Sequence, residues 1–309
     1  MTDAAADESQ ERRKGLAFGA SSYILWGAFP LFFPLLEPAG TVEILAGRMA
    51  WSLVVMVIVL RFTGGFGGVR AVLRDRRRLS NLTLAAVVIS INWGTYIYGV
   101  NSGHVVETSL GYFTNPLFTI VLGVVVLGER LRPAQWTAVG IGVAAVVVIA
   151  VDYGRPPWIA LTLAVSFGLY GFCKKRTDVG AADSLTIETG VLFVPALIAL
   201  TVLGTQGDLV FGTRWSTSVL IATSGLVTAI PLLFFAASAR RLPLSVLGLL
   251  QYLAPVLQFA VGVGIRHESL PTAELVGFVL VWVALIILTV DGLRSQRGAR
   301  QLERATVAV

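Results

Sequence analysis

Ten stretches of about twenty apolar residues, joined by short polar connections, leave this chain few ways to fold. They lie near 16–36, 41–61, 80–100, 107–127, 133–151, 157–173, 185–203, 217–237, 243–265 and 271–291. A bilayer core of ~30 Å is crossed by about 20 residues of α-helix. Val121–Leu127, Val143–Val151 and Val276–Val290 are nearly unbroken apolar runs with no polar face. A helix that is apolar all round is either enclosed by protein or dissolved in lipid. A chain of 309 residues cannot enclose that many helices, so lipid is the surrounding medium. Charged residues make up 14% of the chain, against about 25% in soluble domains. The expected fold is an all-α membrane protein of ten transmembrane helices. The first fifteen residues are polar and expected to be disordered. The run after them is span-length, so it reads as an uncleaved first helix and not as a signal peptide.

The basic residues order these spans. Twenty lie in the N-terminal tail, the 61–79, 128–132 and 174–184 loops, at Arg240 and Arg241, and in the C-terminal tail. The alternate connections hold three, Arg155, Arg214 and Arg266, and Arg48 lies inside a span. Cytoplasmic loops carry the Lys and Arg excess, which places both termini in the cytoplasm. The formal charge of +6 is thereby a topology signal and not the footprint of a nucleic-acid partner. A single cysteine, Cys173, excludes disulfides within the chain. His104 and His267 are too few and too distant for a metal cluster, and no cofactor is expected.

The chain also repeats itself. Asn115-Pro116, Gly123, Glu129 and Leu131 meet Ala254-Pro255, Gly262, Glu268 and Leu270 at a separation of 139. Ser22, Leu25, Trp26 and Gly27 meet Ser166, Leu169, Tyr170 and Gly171 at 144, and Thr41 and Glu43 meet Thr186 and Glu188 at 145. The expected organisation is a cytoplasmic tail 1–14, a first repeat 15–153, a second repeat 154–292 and a cytoplasmic tail 293–309. Five spans per repeat is an odd number, so the second repeat enters the membrane from the opposite side. Inverted repeats can exchange conformations, which opens a site at their interface to alternate sides.

Polar groups inside a span are expensive and mark candidate sites. Arg48 lies about 10 Å from the nearer end of its span, and should face the interior and find an acid or carbonyls. It reads either as an anion-binding or gating group, or as a structural ion pair. Glu43 and Glu188 open repeat-equivalent spans, either as acids favoured by the helix dipole or as gate or proton-coupling groups. Five residues separate Glu43 from Arg48, about 140° round a helix, which is poor for a same-helix pair. Glu129 and Glu268 read as caps or loop contacts at span ends. Trp26, Asn92, Trp93, Tyr96, Tyr112, Asn115, Tyr170, Gln251 and Tyr252 are aromatic or amide groups at membrane depth, suited either to a partly apolar cavity or to interhelical packing. Pro116 and Pro255 are repeat-matched breaks in the hydrogen-bond ladder, and candidate hinges.

Several segments resemble a known family: YILWGAFPLFF (23–33), TVEILAGRMAWS (41–52), ETSLGYFTNPLFTIVLGVVVLGERLRPAQW (107–136), ETGVLFVPAL (188–197) and TAIPLLFFAASARRLPLSVLGLLQYLAPVLQF (228–259). They resemble the RarD branch of the EamA transporters, within the drug/metabolite transporter superfamily, from about residue 15 to 295. The resemblance implies two inverted EamA repeats in a bacterial plasma membrane and export of small metabolites or drug-like compounds. A secondary transporter is the expected function, with a small-molecule substrate and the lipid bilayer as partners. An intramembrane enzyme and a channel or receptor are the competing classes. No paired membrane aspartates, His cluster or Ser–His arrangement supports an enzyme. No Gly-x-x-x-x-Gly-Lys-Ser/Thr loop supports direct ATP drive.

Overall fold

In the computed structural model of the chain, residues 2–127, 131–175, 177, 179–239, 241–242 and 250–307 are described. Ten helices of twelve or more residues occur among them: α1 (Thr2–Gly27), α2 (Thr41–Thr63), α3 (Arg76–Asn101), α4 (Val105–Leu127), α5 (Pro133–Tyr153), α6 (Trp158–Lys175), α7 (Ala181–Gln206), α8 (Trp215–Ala239), α9 (Leu253–Gly264) and α10 (Thr272–Val307). No strand occurs among the described residues. Six helices are long and apolar enough to cross a membrane, and a seventh span is obtained if α1 and the segment after it are taken as one bent unit. The helices from Trp158 and from Leu253 are apolar but shorter.

Large apolar side chains stay exposed in stripes at helical spacing: Val54 and Ile58 on α2, Val143, Val147 and Val151 on α5, Val194 and Ile198 on α7, and Val279, Val283 and Ile286 on α10. Contiguous apolar surface of that extent is tolerable only against lipid or another protein.

The ends of the chain differ from expectation. Residues 2–15 are helical, forming the start of α1. Their Ala, Glu, Gln, Arg and Lys content favours helix. Glu11 also receives Lys14 at 2.7 Å and Arg241 at 2.9 Å, contacts that hold its carboxyl below the ordinary carboxylate range. At the other end α10 runs on to Val307 through the polar tail. The expected first span, 16–36, is broken. The helix stops at Gly27, a helical turn spans Phe29–Phe32, and a 3-10 turn spans Phe33–Leu36. The two parts meet at 41°. Pro30 and Pro34 each lack an amide donor, which disfavours straight continuation. The 61–79 loop is also structured, with a short helix at Gly67–Arg74 that buries Val72. Asp75 then caps α3, accepting from Arg77 N and Arg78 N at 3.0 and 3.1 Å.

Most packing runs between the halves. The pairs α3·α6 and α8·α1 are exchanged with one another if the two halves are swapped, as are α4·α6 and α9·α1, and α2·α8 and α7·α3. The pairs α2·α7, α4·α9 and α5·α10 each map onto themselves. The core follows these interfaces. Phe29, Phe33 and Leu36 pack with Ile44, Tyr96, Ile97, Leu163 and Ile221. A second group joins Leu110 and Phe113 to Ile149, Ala160, Phe278 and Val281. Gly225 allows the close approach of α8 to α2, because a Cβ there would lie 2.5 Å from the Trp51 carbonyl carbon.

Candidate functional site

Arg48 is 3% exposed, in the interior as its charge requires. Its partners are not acidic. Nε donates to Thr228 Oγ1 at 2.6 Å, and that hydroxyl donates to the Ser224 carbonyl at 2.8 Å. The guanidinium carbon sits 4.2 Å from the Trp93 ring centre, 5.3 Å from Phe29 and 5.7 Å from Phe33. Such cation–π contacts contribute about 0.5–2 kcal/mol each, more where water is excluded. Nη1 is buried and has no acceptor among the described residues. The break after α1 makes this cage possible, because it turns Phe29 and Phe33, one helical turn apart, onto the inner face. The side chain also runs deeper into the bundle. Gly47 lies against Ile221 and Trp51 against Gly225, so Arg48 is level with residue 222. Thr228 lies further along α8 than that level, and its hydroxyl points back toward Ser224 to meet Nε.

Four of the expected site residues gather here. Trp93 faces the guanidinium, and Tyr96 packs on Phe33 at 5.9 Å and on Tyr112 at 5.6 Å. Tyr112 OH donates to Asn92 Oδ1 at 3.0 Å. Asn92 Nδ2 in turn donates to Leu163 O and Ser166 Oγ at 3.1 and 3.0 Å, tying α3 to α6. Asn115 ties α4 to the same helix by donating to Ala164 O at 3.0 Å. These amides fix helices as well as line the group.

Aromatic contact continues from Tyr112 through Phe167 to Tyr170, at 5.8 and 6.2 Å. Tyr170 OH donates to Glu188 Oε2 at 3.1 Å. Glu188 is 2% exposed and also accepts from Lys174 Nζ at 2.6 Å and Ser184 Oγ at 2.7 Å. Glu43, its repeat counterpart, does something else. It is buried and takes the backbone N–H groups of Val210, at 3.1 Å, and Phe211, at 2.7 Å. Gly207 ends α7 at φ +81° and turns the chain so that these amides face the carboxylate.

The other expected residues lie apart from the Arg48 group. Trp26 packs with Tyr23 at 5.3 Å and Phe235 at 5.9 Å, and its carbonyl accepts from Gln258 at 3.2 Å. Gln251 and Tyr252 are half-buried at a break before α9, with Tyr252 against the core around Phe259. Pro116 interrupts α4. Pro255 is the third residue of α9, so the break falls at Tyr252 and not at the proline. Ser109 Oγ donates to the Pro255 carbonyl at 2.8 Å, pinning α9 to α4. A cavity of about 290 Å³ opens between α2, α7 and α8, lined by Gly47, Ala50, Trp51, Val54, Phe193 and Ile221 among others. None of the nine cavity candidates lines it.

Glu268 caps α4, accepting from Val105 N and Val106 N at 2.9 and 2.8 Å, as its position at a span end suggested. Its counterpart Glu129 lies outside the described residues. Sequence reasoning did not single out Thr228, Lys174, Glu107 or Glu274. Glu107 is 2% exposed, accepts from Ile159 N at 3.1 Å and lies 3.8 Å from Arg155. Glu274 contacts Tyr153 OH. The available signal was an acid in the first turn of each of two spans, the cue that picked out Glu43 and Glu188.

The comparisons agree with this architecture. Residues 13–151 match the EamA-like transporter family. The chain is 54% identical to Protein RarD of Streptomyces exfoliatus, covering 97% of this chain and 96% of that one. It is 40% identical to the uncharacterized transporter YojE of Bacillus subtilis, over 94% and 98% of the two chains. Identity to Protein RarD of Escherichia coli is 36%, over 94% and 98%. One solved crystal structure superposes with a TM-score of 0.59 over 90% of this chain and 98% of its own, at 18% identity, a likeness of fold alone. The chain is a membrane transporter, and it belongs to the RarD branch of the EamA-like transporter family.

Proposed function

We propose that this chain is a secondary transporter that exports small metabolites or drug-like amphiphiles across the bacterial plasma membrane by alternating access. The observation that carries the reading is the exchange of helix pairings between residues 15–153 and 154–292. Packing that maps onto itself when the halves are swapped gives each half access to the other's conformation. In this reading ten helices span the bilayer. The 18 residues of α6 reach about 27 Å. The cavity forms where the halves meet, around Asn92, Trp93, Tyr96 and Tyr112, with Trp26, Asn115, Tyr170, Gln251 and Tyr252 reaching it in other states of the cycle. The Tyr252 break before Pro255, and Pro116 within α4, serve as hinges. Glu43 and Glu188 secure the two ends.

Flux of labelled compounds into proteoliposomes holding the purified chain, with and without a pH gradient, tests this. Saturable uptake is expected. Conduction without saturation, or no flux of any compound, would remove the reading. The orientation has its own check. Both termini and the 61–79 loop should be cytoplasmic, so in a Cys173→Ser background a cysteine at Thr213 should react with an impermeant thiol reagent added outside intact cells. A cysteine at Ser80 should not react, and the opposite pattern would invert the topology.

A further inference from the structure

Arg48 and Lys174 each reach a buried partner inside the bundle, and they are provided for differently. Lys174 has a carboxylate, Glu188, at 2.6 Å. Arg48 is more deeply buried and has none within 4 Å among the described residues. Lysine can lose its proton when desolvated, whereas a guanidinium stays charged. Among the described residues this buried permanent charge is answered by one hydroxyl and aromatic faces, and Nη1 has no acceptor. Long basic side chains near a span end ordinarily turn outward to the interface. This one turns inward, to the Thr228 hydroxyl on α8.

Resting on the transport reading above, we infer that Arg48 binds the carboxylate of a transported organic acid whose flat apolar body lies against Trp93, Phe29 and Phe33. The terminal edge of a guanidinium matches a carboxylate in two parallel N–H···O bonds. Nε is already fixed by Thr228, so the fork is held in one orientation before the solute arrives. The ring faces that the guanidinium now covers, 4.2–5.7 Å from its carbon, are the ones a planar apolar group would lie against. The solute and Arg48 neutralise each other, which lowers the cost of holding either charge in the low-dielectric interior. Inorganic phosphate offers the charge without the apolar body and, being strongly hydrated, does not enter such a cage.

The test uses the purified full-length chain in detergent, with binding followed by calorimetry and Trp fluorescence. The probes are benzoate and cyclohexanecarboxylate, the corresponding neutral amides, and inorganic phosphate. The wild-type chain should bind each acid at least tenfold more tightly than its amide, and phosphate should not compete. Arg48→Gln should reduce that preference to threefold or less, with Arg48→Lys in between. Equal affinity for acid and amide in the wild type would overturn the inference without recourse to any variant. So would an acid preference that survives Arg48→Gln, or competition by phosphate as strong as by benzoate. The two readings fail separately. Acid-selective binding with no flux in proteoliposomes would sink transport and leave the site. Saturable flux with no acid preference would leave transport and sink the site.

Discussion

Glu43 and Glu188 occupy matching positions in the two halves, 145 residues apart, and both carboxylates are buried, yet their surroundings have little in common. Glu43 is held by the backbone amides of Val210 and Phe211. Glu188 is held by Lys174, Ser184 and Tyr170. Backbone amides are fixed dipoles that neither titrate nor swing away. A lysine whose side chain is 30% exposed can leave its partner for water. The Glu43 carboxylate is therefore rigidly held, and the Glu188 carboxylate releasably so. Matching positions in the sequence fix where an acid sits without dictating how it is answered.

The largest expected effect separates the two carboxylates directly. Lys174→Met strands the Glu188 carboxylate, and breaking a buried pair in this way costs about 3 kcal/mol, the low end of the range because Lys174 is partly exposed. Adding Glu188→Gln should restore most of the loss in thermal unfolding of the detergent-solubilised protein. A double variant as unstable as the single one would mean that the pair is not what holds this carboxylate. Next, Glu43→Gln keeps one acceptor oxygen and removes the charge, for a loss of about 2 kcal/mol. That loss should add to the Lys174→Met loss, since distant sites act independently. Strong coupling between the two would show that the carboxylates act as one unit. The smallest effect is expected at Tyr170→Phe, which removes one of three donors to Glu188 at about 1 kcal/mol. A loss equal to that of Lys174→Met would make the tyrosine, and not the ion pair, the holding group.

Much of the architecture was legible because each span must be apolar around its whole circumference, and run length marks such helices. The short helix from Trp158 and the α3–α4 turn at Asn101–Val105 fell where the runs ended. Arg48 was legible as an interior group because a charge in hydrocarbon has no other low-cost place. Its partner was not, since Thr228 lies 180 residues away and a hydroxyl in an apolar run carries no pattern. Lys174 was hidden for a different reason. A lysine at the end of a span counts as a flanking charge of the 174–184 loop, although α6 carries it inward to Glu188. The break at Gly27 showed only as Pro30 and Pro34, which are compatible with a smooth curve as well as with a sharp bend.

The interleaving of the two halves also constrains how the protein is made. Arg48 is synthesised 180 residues before Thr228, and at about 5–20 residues per second the interval is roughly 10–35 s. For most of that time α2 has neither α7 nor α8 to lie against, and its guanidinium waits in the insertion machinery, at the headgroups or beside Trp93. The first half alone would be a set of helices missing most of their neighbours. Assembly in the membrane is thus a late event gated by the arrival of α6–α8, and a ribosome that stalls before residue 228 leaves an intermediate for quality control to recognise.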